Sequence, residues 1–375
     1  MLKRFSAISM FIITLITTSG AFAQEAAITV RNFDPYASIR IFLGYHNTDP
    51  AENATYDGET ELVNRLQANT RFGAKMEIEG VKTHVEFGLN TNSTTESDPA
   101  YLRLAYATYG FNGLLLMAGQ NYTPYFFPAT GDYVDDNGLG GFGVPYDGRQ
   151  QQIMLSWNGL YASFIETSKI TTGAGTVADI TVQYPKIAVG YDFKSGANLI
   201  GIGGAYNTVK INDPMNVMDG KNLVSWITYA RLNFVLGDFT LRSTAMYGVN
   251  TGNFGIASTP KAANADSIAP NMPTTVVVDV DEFKNSKHFM GYINPMYQIL
   301  SSLQIGLGAG YAQVDNDTFE KVDKQVAYFI NLKYNINKYF HVTPEFTYRD
   351  FMKDKSGVDE GSEYYAGAKI QFDVF

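Results

Sequence analysis

The sequence predicts an all-β fold: a transmembrane up-and-down antiparallel β-barrel of about 16 strands with an inward-folded constriction loop. Three observations lead to this prediction. About 16 segments of roughly ten residues alternate apolar and polar side chains. Tight turns alternate with long polar connections along the whole chain. The chain ends in an alternating segment, 362–375, that closes on the aromatic Phe375.

The alternation is clearest in the segment 66–78. Apolar side chains such as Phe72 and Met76 interleave there with polar ones such as Arg71 and Lys75. Because successive side chains of a strand point to opposite faces, one face is apolar and the other is polar. The number and length of such strands, and the rarity of continuous apolar strands that would fill a core, place the polar face inside the barrel.

The predicted strands follow one another with alternating short and long connections. The strands are predicted at 36–46, 65–78, 81–91, 101–111, 113–121, 150–157, 160–168, 180–193, 198–210, 221–236, 239–250, 287–300, 303–314, 325–336, 339–352 and 362–375. The tight turns are Glu79-Gly80, Asn112-Gly113, Asn158-Gly159, Gly237-Asp238, Ser301-Ser302 and Asn337-Lys338. Turns and loops therefore segregate to opposite rims, as in outer-membrane barrels with short periplasmic turns and long external loops.

The longest connection, 251–286, leaves the strand count open. It contains the β-branched run 274–278, which is predicted to form a short external strand. The alternative is that this run pairs into the wall and raises the count to 18.

The N-terminus predicts export. Lys3 and Arg4 precede an apolar stretch that ends at Ala21-Phe22-Ala23, which is typical of a secretory signal peptide. We predict a signal peptide at 1–23 and a barrel domain at 24–375. Since no other stretch approaches a transmembrane helix, only a closed barrel satisfies the backbone in a membrane, and the predicted location is the bacterial outer membrane as a multi-pass barrel.

Composition excludes several classes of function. Removal of residues 1–23 takes away Lys3 and Arg4 and no acidic residue, so 28 basic and 37 acidic side chains become 26 and 37, which disfavours nucleic acid as a partner. The chain has no cysteine, four histidines without metal-binding spacing, and no Gly-x-Ser-x-Gly motif. We therefore expect no enzymatic activity, no catalytic residue, no metal and no cofactor.

A barrel of about 16 strands is too wide for its own side chains to fill, so something must narrow it. The best candidate is the connection 122–149, because it is long and rich in glycine. If it folds inward, its carboxylates face basic side chains of the wall and create a transverse field. The acidic candidates are Asp132, Asp135 and Asp136. The basic candidates, called here the arginine row, are Arg40, Arg71, Arg103 and Arg149, and further predicted lumen charges are Lys75, Lys82, His84 and Glu86.

Two motifs resemble a known family. The segment 101–111, followed by Gly119-Gln-Asn-Tyr, is similar to the block that precedes the constriction loop in the general bacterial trimeric porins, although Gln120 stands where many members have Arg. The resemblance implies that Arg71, Arg103 and Arg149 belong to a basic cluster and that 131–136 carries paired acids. It further implies a homotrimer of sixteen-stranded barrels that passes small hydrophilic solutes by diffusion, surrounded by outer-membrane lipid and lipopolysaccharide and inserted by the outer-membrane assembly machinery.

The functional expectation is a porin with a water-filled channel for passive diffusion of small hydrophilic solutes and ions. Acidic residues of the external loops, such as Asp49, Glu52 and Asp57, predict a weak preference for cations because they raise the local cation concentration. The alternative is a substrate-specific channel of the same architecture for a sugar or an organic acid, with the aromatic run 122–127 lining the path. A third possibility is a structural or adhesive barrel with little conductance.

Overall fold

A computed structural model describes residues 30–52, 57–89, 100–133, 138–167, 180–211, 220–256, 277–279, 282–316 and 320–374. Sixteen antiparallel strands form the wall in this part of the chain. They are β1 Val30–Asp49, β2 Thr60–Leu66 with Arg71–Ile78, β3 Val81–Leu89, β4 Ala100–Phe111, β5 Leu114–Tyr122, β6 Arg149–Trp157, β7 Leu160–Ile165, β8 Ile180–Val182 with Lys186–Ser195, β9 Asn198–Ile211, β10 Asn222–Leu236, β11 Phe239–Val249, β12 Lys287–Leu300, β13 Leu303–Asp315, β14 Asp323–Asn335, β15 Phe340–Asp350 and β16 Ser362–Val374.

The sheet closes on itself between its first and last strands. Ile41 of β1 lies opposite Ile370 of β16 on one side and opposite Leu66 of β2 on the other. Every other strand pairs with its neighbours in sequence, so the barrel is up-and-down. The predicted all-β barrel and its count of 16 are thereby confirmed. The predicted signal peptide lies outside the described residues and stays a prediction.

The tight turns have the backbone geometry that their residues predicted. Asn112 and Gly113 have φ of 48° and 83°, and Asn158 and Gly159 have φ of 46° and 87°. Positive φ at both central residues is the signature of the type I′ turn, whose twist matches the twist of the flanking strands. These turns therefore set the register of the hairpins they join.

The alternative of 18 strands is wrong. Val277–Asp279 pairs with Glu282–Lys284 in a separate two-stranded sheet, not with the wall. The run 274–278 was predicted to form an external strand, and its last two residues do lie in this small sheet. Among the described residues, no helix is long and apolar enough to cross a membrane.

The outer face of the barrel carries the large apolar side chains. Ile39 and Leu43 on β1, and Ile330 and Leu332 on β14, are each at least 40% exposed. In an aqueous protein such a continuous apolar surface would be covered by a partner, whereas in a bilayer it is the surface that contacts lipid. The prediction that the outward-facing side chains of the strands are apolar is therefore met at these positions.

The inner face is not polar all round, which corrects the expected pattern. It is mainly polar on β1 to β4, but several inward positions of β7 to β13 are apolar and buried, as at Ile165, Ile227, Met246 and Met290. The reason is that two chain segments fold into the barrel and cover this side. One is residues 123–133 and 138–148, called here the inner loop, and the other is residues 250–256, called here the second inner segment.

The connection between β15 and β16 carries most of an acidic cluster. Its partly buried Glu360 lies near Asp354 and Asp359 of the same connection and near Asp323 at the start of β14. Burial, followed by repulsion from these carboxylates, raises the pKa of Glu360 to about 8. A raised carboxyl pKa means that the folded loop binds the proton more tightly than the unfolded loop. The stability of this loop therefore falls as the pH rises from the ordinary value of 4.5 to about 8.

We expect Glu360→Gln to abolish most of this pH dependence. Amide hydrogen exchange of residues 351–361, normalised to unfolded-peptide rates at each pH, should show less opening in the variant than in wild type at pH 8.5 and equal opening at pH 4. Asp57→Asn, at an exposed acid of another external connection, is the matched control. Equal exchange in wild type and Glu360→Gln at pH 8.5 would contradict the prediction.

Candidate pore constriction

A cavity of 400 Å³ lies between the inner loop and the walls of β1, β2 and β4. All four members of the arginine row line it, together with the aromatic residues Tyr101, Tyr122, Phe126, Tyr133 and Tyr146. Among the described residues that line this cavity, none is acidic. The structure thus brings together four residues that are distant in the sequence, because β1, β2, β4 and the start of β6 meet here.

One carboxylate lies behind the arginines. Glu86 on β3 accepts a hydrogen bond from Arg103 Nε at 2.7 Å, and its other oxygen is 3.3 Å from Arg71 Nε. Tyr36 on β1 donates to the same carboxylate at 2.6 Å. Glu86 and Arg103 are each at least 95% buried. A buried charge is stable only when it is paired, so Glu86 holds the two guanidinium groups in place while compensating one of their two charges.

Arg149 is held differently, by aromatic rings. Its guanidinium lies 5.4 Å from the ring centre of Tyr122 and 5.8 Å from that of Tyr101, and it donates to the Tyr122 hydroxyl at 3.2 Å. Arg103 donates to the same hydroxyl at 3.1 Å. Arg149 makes no ion pair with a described residue. Its positive charge is therefore compensated by no neighbouring carboxylate of the described chain and faces the cavity.

Arg40 lies where β2 is interrupted between its two segments. The Thr70 hydroxyl accepts from Arg40 N at 3.0 Å and donates to Arg40 O at 3.1 Å, replacing ladder hydrogen bonds that the interruption removes. Arg40 Nε donates to the Ser38 hydroxyl at 3.1 Å. The interruption also lets the Gln67 amide reach the carbonyl of Tyr133 in the inner loop.

The other predicted lumen charges lie below the cavity, toward the turns. His84 contacts the hydroxyls of Tyr36 at 2.7 Å and Tyr106 at 3.2 Å. Lys75 Nζ is 5.7 Å from the ring centre of Tyr36. Lys75, Lys82 and His84 line a second cavity, of 380 Å³. A chain of polar contacts thus descends the inner wall from Arg103 through Glu86 and Tyr36 to His84.

The structure places Asp132 elsewhere than the sequence analysis expected. Its carboxylate pairs with Arg349 on β15, and both side chains are fully buried. Arg349 also donates to Glu363 on β16 at 3.0 Å, and the rings of Phe142 and Tyr365 lie 5.5 and 5.2 Å from its guanidinium. Asp132 therefore fastens the inner loop to the far wall and does not line the cavity. Asp135 and Asp136 lie outside the described residues.

Further polar contacts tie the tip of the inner loop to the same wall. Thr130 N donates to Asn294 Oδ1 at 2.8 Å, and Tyr133 N donates to Glu345 Oε1 at 2.6 Å. The Asn331 amide donates to Thr130 O at 3.1 Å. Because these partners lie on β12, β14 and β15, the loop is fixed along these strands, whereas the cavity lies against β1, β2 and β4.

Apolar packing reinforces this attachment. Leu139, Phe142 and Val144 of the inner loop are fully buried, and they pack in one cluster with inward residues such as Phe329 of β14. At Gly310 of β13, an added Cβ would collide with the carbonyl oxygen of Phe142. Only glycine at this position allows the loop backbone to lie directly on the wall.

The second inner segment was not foreseen from the sequence. Phe254 and Ile256 are fully buried, and the Phe254 ring packs edge-on against Tyr125 of the inner loop at 6.2 Å between ring centres. Lys186 of β8 donates to Phe254 O at 3.1 Å and lies 4.0 Å from Asp147 of the inner loop. The sequence did contain an indication of this segment. Several inward positions of β7 to β13 are apolar, which is unusual for a water-filled lumen and indicates that another part of the chain packs on them.

Comparison with known proteins agrees with the architecture. No family model matches the chain, and no curated protein matches it. Among solved structures, the outer membrane channel DcaP of Acinetobacter baumannii aligns at 16% identity with a TM-score of 0.64, covering 94% of this chain and 99% of that one. The anion-selective porin from Comamonas acidovorans aligns at 12% identity with a TM-score of 0.56, covering 92% and 100%. OmpT of Vibrio cholerae, solved in a trimer form, aligns at 13% with a TM-score of 0.54, covering 93% and 100%.

These identities are low, so the similarity is one of fold. The chain has the sixteen-stranded barrel fold of bacterial outer-membrane porins, and the resemblance inferred from the motifs is confirmed at that level.

Proposed function

We propose that this chain is a bacterial outer-membrane porin, a water-filled channel through which small hydrophilic solutes and ions diffuse passively. The inner loop narrows the lumen, and the arginine row forms the narrowest wall. No covalent step is involved, so catalysis has no part in the mechanism. The barrel fold and its apolar outer face support the membrane location, and the arginine cavity supports the channel.

We further propose that the channel prefers anions. The observation that carries this proposal is the lining of the 400 Å³ cavity, with four arginines and no acidic residue among the described ones. The acidic external loops favoured a weak cation preference, but charges beyond a Debye length of about 8–10 Å are largely screened. Groups that line the narrowest region act on a permeating ion at short range and therefore dominate the selectivity.

The test is a reversal-potential measurement in a planar bilayer under a potassium chloride gradient. An anion-preferring channel gives a reversal potential with the sign of the chloride equilibrium potential. If the channel is a trimer, the current steps appear in groups of three. A potential of the sign set by potassium would reject the anion preference. Absence of conductance from correctly folded protein would reject the channel itself.

A second candidate is a channel specific for an organic acid. It is favoured by the stack of Arg149 between Tyr101 and Tyr122, because a guanidinium next to aromatic faces suits a planar carboxylate. Benzoate and glucose serve as probes. Block of the chloride current by micromolar benzoate indicates a binding site, whereas equal weak effects of both solutes at millimolar concentration indicate a general sieve.

We also propose a homotrimer, in contact with outer-membrane lipid and lipopolysaccharide and inserted by the outer-membrane assembly machinery. The fold is shared with an OmpT structure solved as a trimer. The outward faces of β1 to β5 are the proposed contact, and small residues such as Ala74, Ala105, Ala107 and Ala118 make part of this surface flat. Glu96 or Asp98, in the connection between β3 and β4, is proposed to reach a neighbouring subunit; both lie outside the described residues.

A further inference from the structure

Arg103 points into the lumen only because β4 contains a β-bulge. Glu86 of β3 pairs with Leu104, while the next residue, Phe87, pairs with Leu102, so Arg103 is an extra residue in β4. Beyond the bulge, Tyr106 faces the lumen, where its hydroxyl contacts His84, and Tyr109 faces outward with 46% of its surface exposed. Strict alternation from Tyr106 would turn Arg103 to the outer face.

The hydrogen-bond ladder between β4 and β5 ends next to this bulge. Ala105 opposite Gln120 is the last pair, and beyond it β5 pairs with β6 alone, as at Tyr122 and Arg149. The carbonyls of Leu102 and Arg103 therefore have no β5 backbone partner. In the wall of a membrane barrel, carbonyls without a partner are costly.

The side chain of Gln120 supplies the missing donor. Its amide Nε2 lies 3.0 Å from the carbonyl oxygen of Leu102 and 3.0 Å from that of Arg103. Gln120 is opposite Ala105 and so lies on the outer surface of the wall, where most side chains are apolar. An amide at such a place needs partners, and these two carbonyls are its partners.

We propose that Gln120 is a positioning residue for Arg103, acting from the outside of the barrel. Its amide holds the two carbonyls of the bulge and thereby keeps the Arg103 side chain turned into the lumen, between Glu86 and the Tyr122 hydroxyl. This inference rests on the proposed function, because it assigns Gln120 a part in the selectivity that Arg103 provides. Many porins have arginine at the position of Gln120. Because the Gln120 side chain does not face the lumen, this difference removes no charge from the lumen of this chain.

The experiment compares reversal potentials of four full-length channels with wild type. Gln120→Met removes the donor and keeps length and apolar character suited to the outer surface. Gln151→Met is the matched control, because Gln151 lies directly opposite Gln120 on β6, is exposed on the outer face, and carries the same amide without contacting the bulge. Arg103→Gln removes the charge itself, and the fourth channel combines Gln120→Met with Arg103→Gln. Single-channel conductance and trimer melting are recorded alongside, because a purely structural role would lower melting without changing the selectivity of assembled channels.

Arg103→Gln is expected to lower the anion-to-cation permeability ratio by about fivefold, and Gln120→Met by about twofold. Gln151→Met should leave the ratio unchanged. In the double variant, Gln120→Met should add nothing to Arg103→Gln, because Arg103 is the residue through which it acts.

Failure of the inference about Gln120 and failure of the proposed function give different results. If Arg103→Gln shifts the ratio and Gln120→Met does not, the inference about Gln120 is overturned and the proposed function stands. If Arg103→Gln has no effect, the assignment of the arginine row fails and the inference fails with it. If Gln120→Met does not assemble, Gln120→Lys replaces it, because lysine keeps a donor at similar length. A permeability ratio equal to that of wild type in Gln120→Lys supports the inference. A ratio in Gln120→Lys as low as that of Arg103→Gln overturns it.

Discussion

Arg149→Glu is expected to shift the permeability ratio of the channel strongly toward cations. The substitution changes the charge at the cavity by two units. In a water-filled lumen, two charge units at about 8 Å change the energy of a monovalent ion by ~1 kcal/mol, which is a factor of about five for each ion. Because Arg149 has no ion-pair partner among the described residues, its loss leaves no buried carboxylate uncompensated, and the barrel should assemble normally.

The measurement is the reversal potential under a salt gradient, with Lys194→Glu as the matched control. Lys194 lines a separate cavity nearer the turns and undergoes the same change of charge. Arg149→Lys separates charge from shape, since it keeps the positive charge but loses the planar group beside the rings of Tyr101 and Tyr122. If Lys194→Glu shifts the ratio as much as Arg149→Glu, the cavity is not the selective part of the channel.

Arg349→Met is expected to release the inner loop from the wall while the barrel remains closed. The guanidinium contacts both Asp132 and Glu363, and all three side chains are at least 96% buried. Removal of one partner from a buried ionic group typically costs about 3–5 kcal/mol, because a charge is left uncompensated. The strand ladder does not depend on this group, so the cost falls on the attachment of the loop.

The readout is the noise of the open-channel current together with proteolysis of the inner loop in assembled protein. Wild type should give current steps with low open-channel noise and an inner loop that resists proteolysis. Arg349→Met should give a fluctuating open-channel current and cleavage of the chain between 123 and 148. A triple variant, Arg349→Met with Asp132→Asn and Glu363→Gln, removes the charges as a group and should restore much of the quiet behaviour. A quiet current and a protected loop in Arg349→Met would show that the apolar packing around Phe142 suffices to hold the loop.

The second inner segment has a related consequence for how the lumen is shaped. It packs on Tyr125 and on inward residues of β7 to β13, while the inner loop packs on β12 to β15, so the two segments cover adjacent parts of the inner wall. The 400 Å³ cavity that the arginine row lines lies between the inner loop and β1, β2 and β4. If the arginine row sets the selectivity, as we propose, substitutions on the wall that these two segments cover should act only by displacing the segments.

Much of the wall was predictable from the sequence because its rules are local. Alternation sets which residues face lipid, and the Asn-Gly pairs at 112–113 and 158–159 set type I′ turns through their tolerance of positive φ. The strand count and the alternation of turns and loops followed from counting such signals. Arg40 and Arg71 were named from the same alternation, but the inward position of Arg103 depends on the bulge in β4. The structure collects all four members of the arginine row in one cavity.

The candidate site was less predictable, because its partners are remote in sequence. Asp132 and Arg349 are 217 residues apart, and nothing local indicates that this carboxylate neutralises an arginine on β15. The rings of Tyr101 and Tyr122 around Arg149 likewise depend on how β4, β5 and β6 meet. The sequence indicated the second inner segment only indirectly, through the apolar inward positions of the strands that it covers.

The sequence by itself determined the barrel, since strand alternation and turn chemistry act between neighbours along the chain. Only the tertiary structure decided which charges remain in the lumen. A single extra residue in β4 reverses the direction of every side chain beyond it, and this places Arg103 inside. A buried pairing with Arg349 removes Asp132 from the passage, because a carboxylate taken out of water needs a compensating charge wherever the fold supplies one.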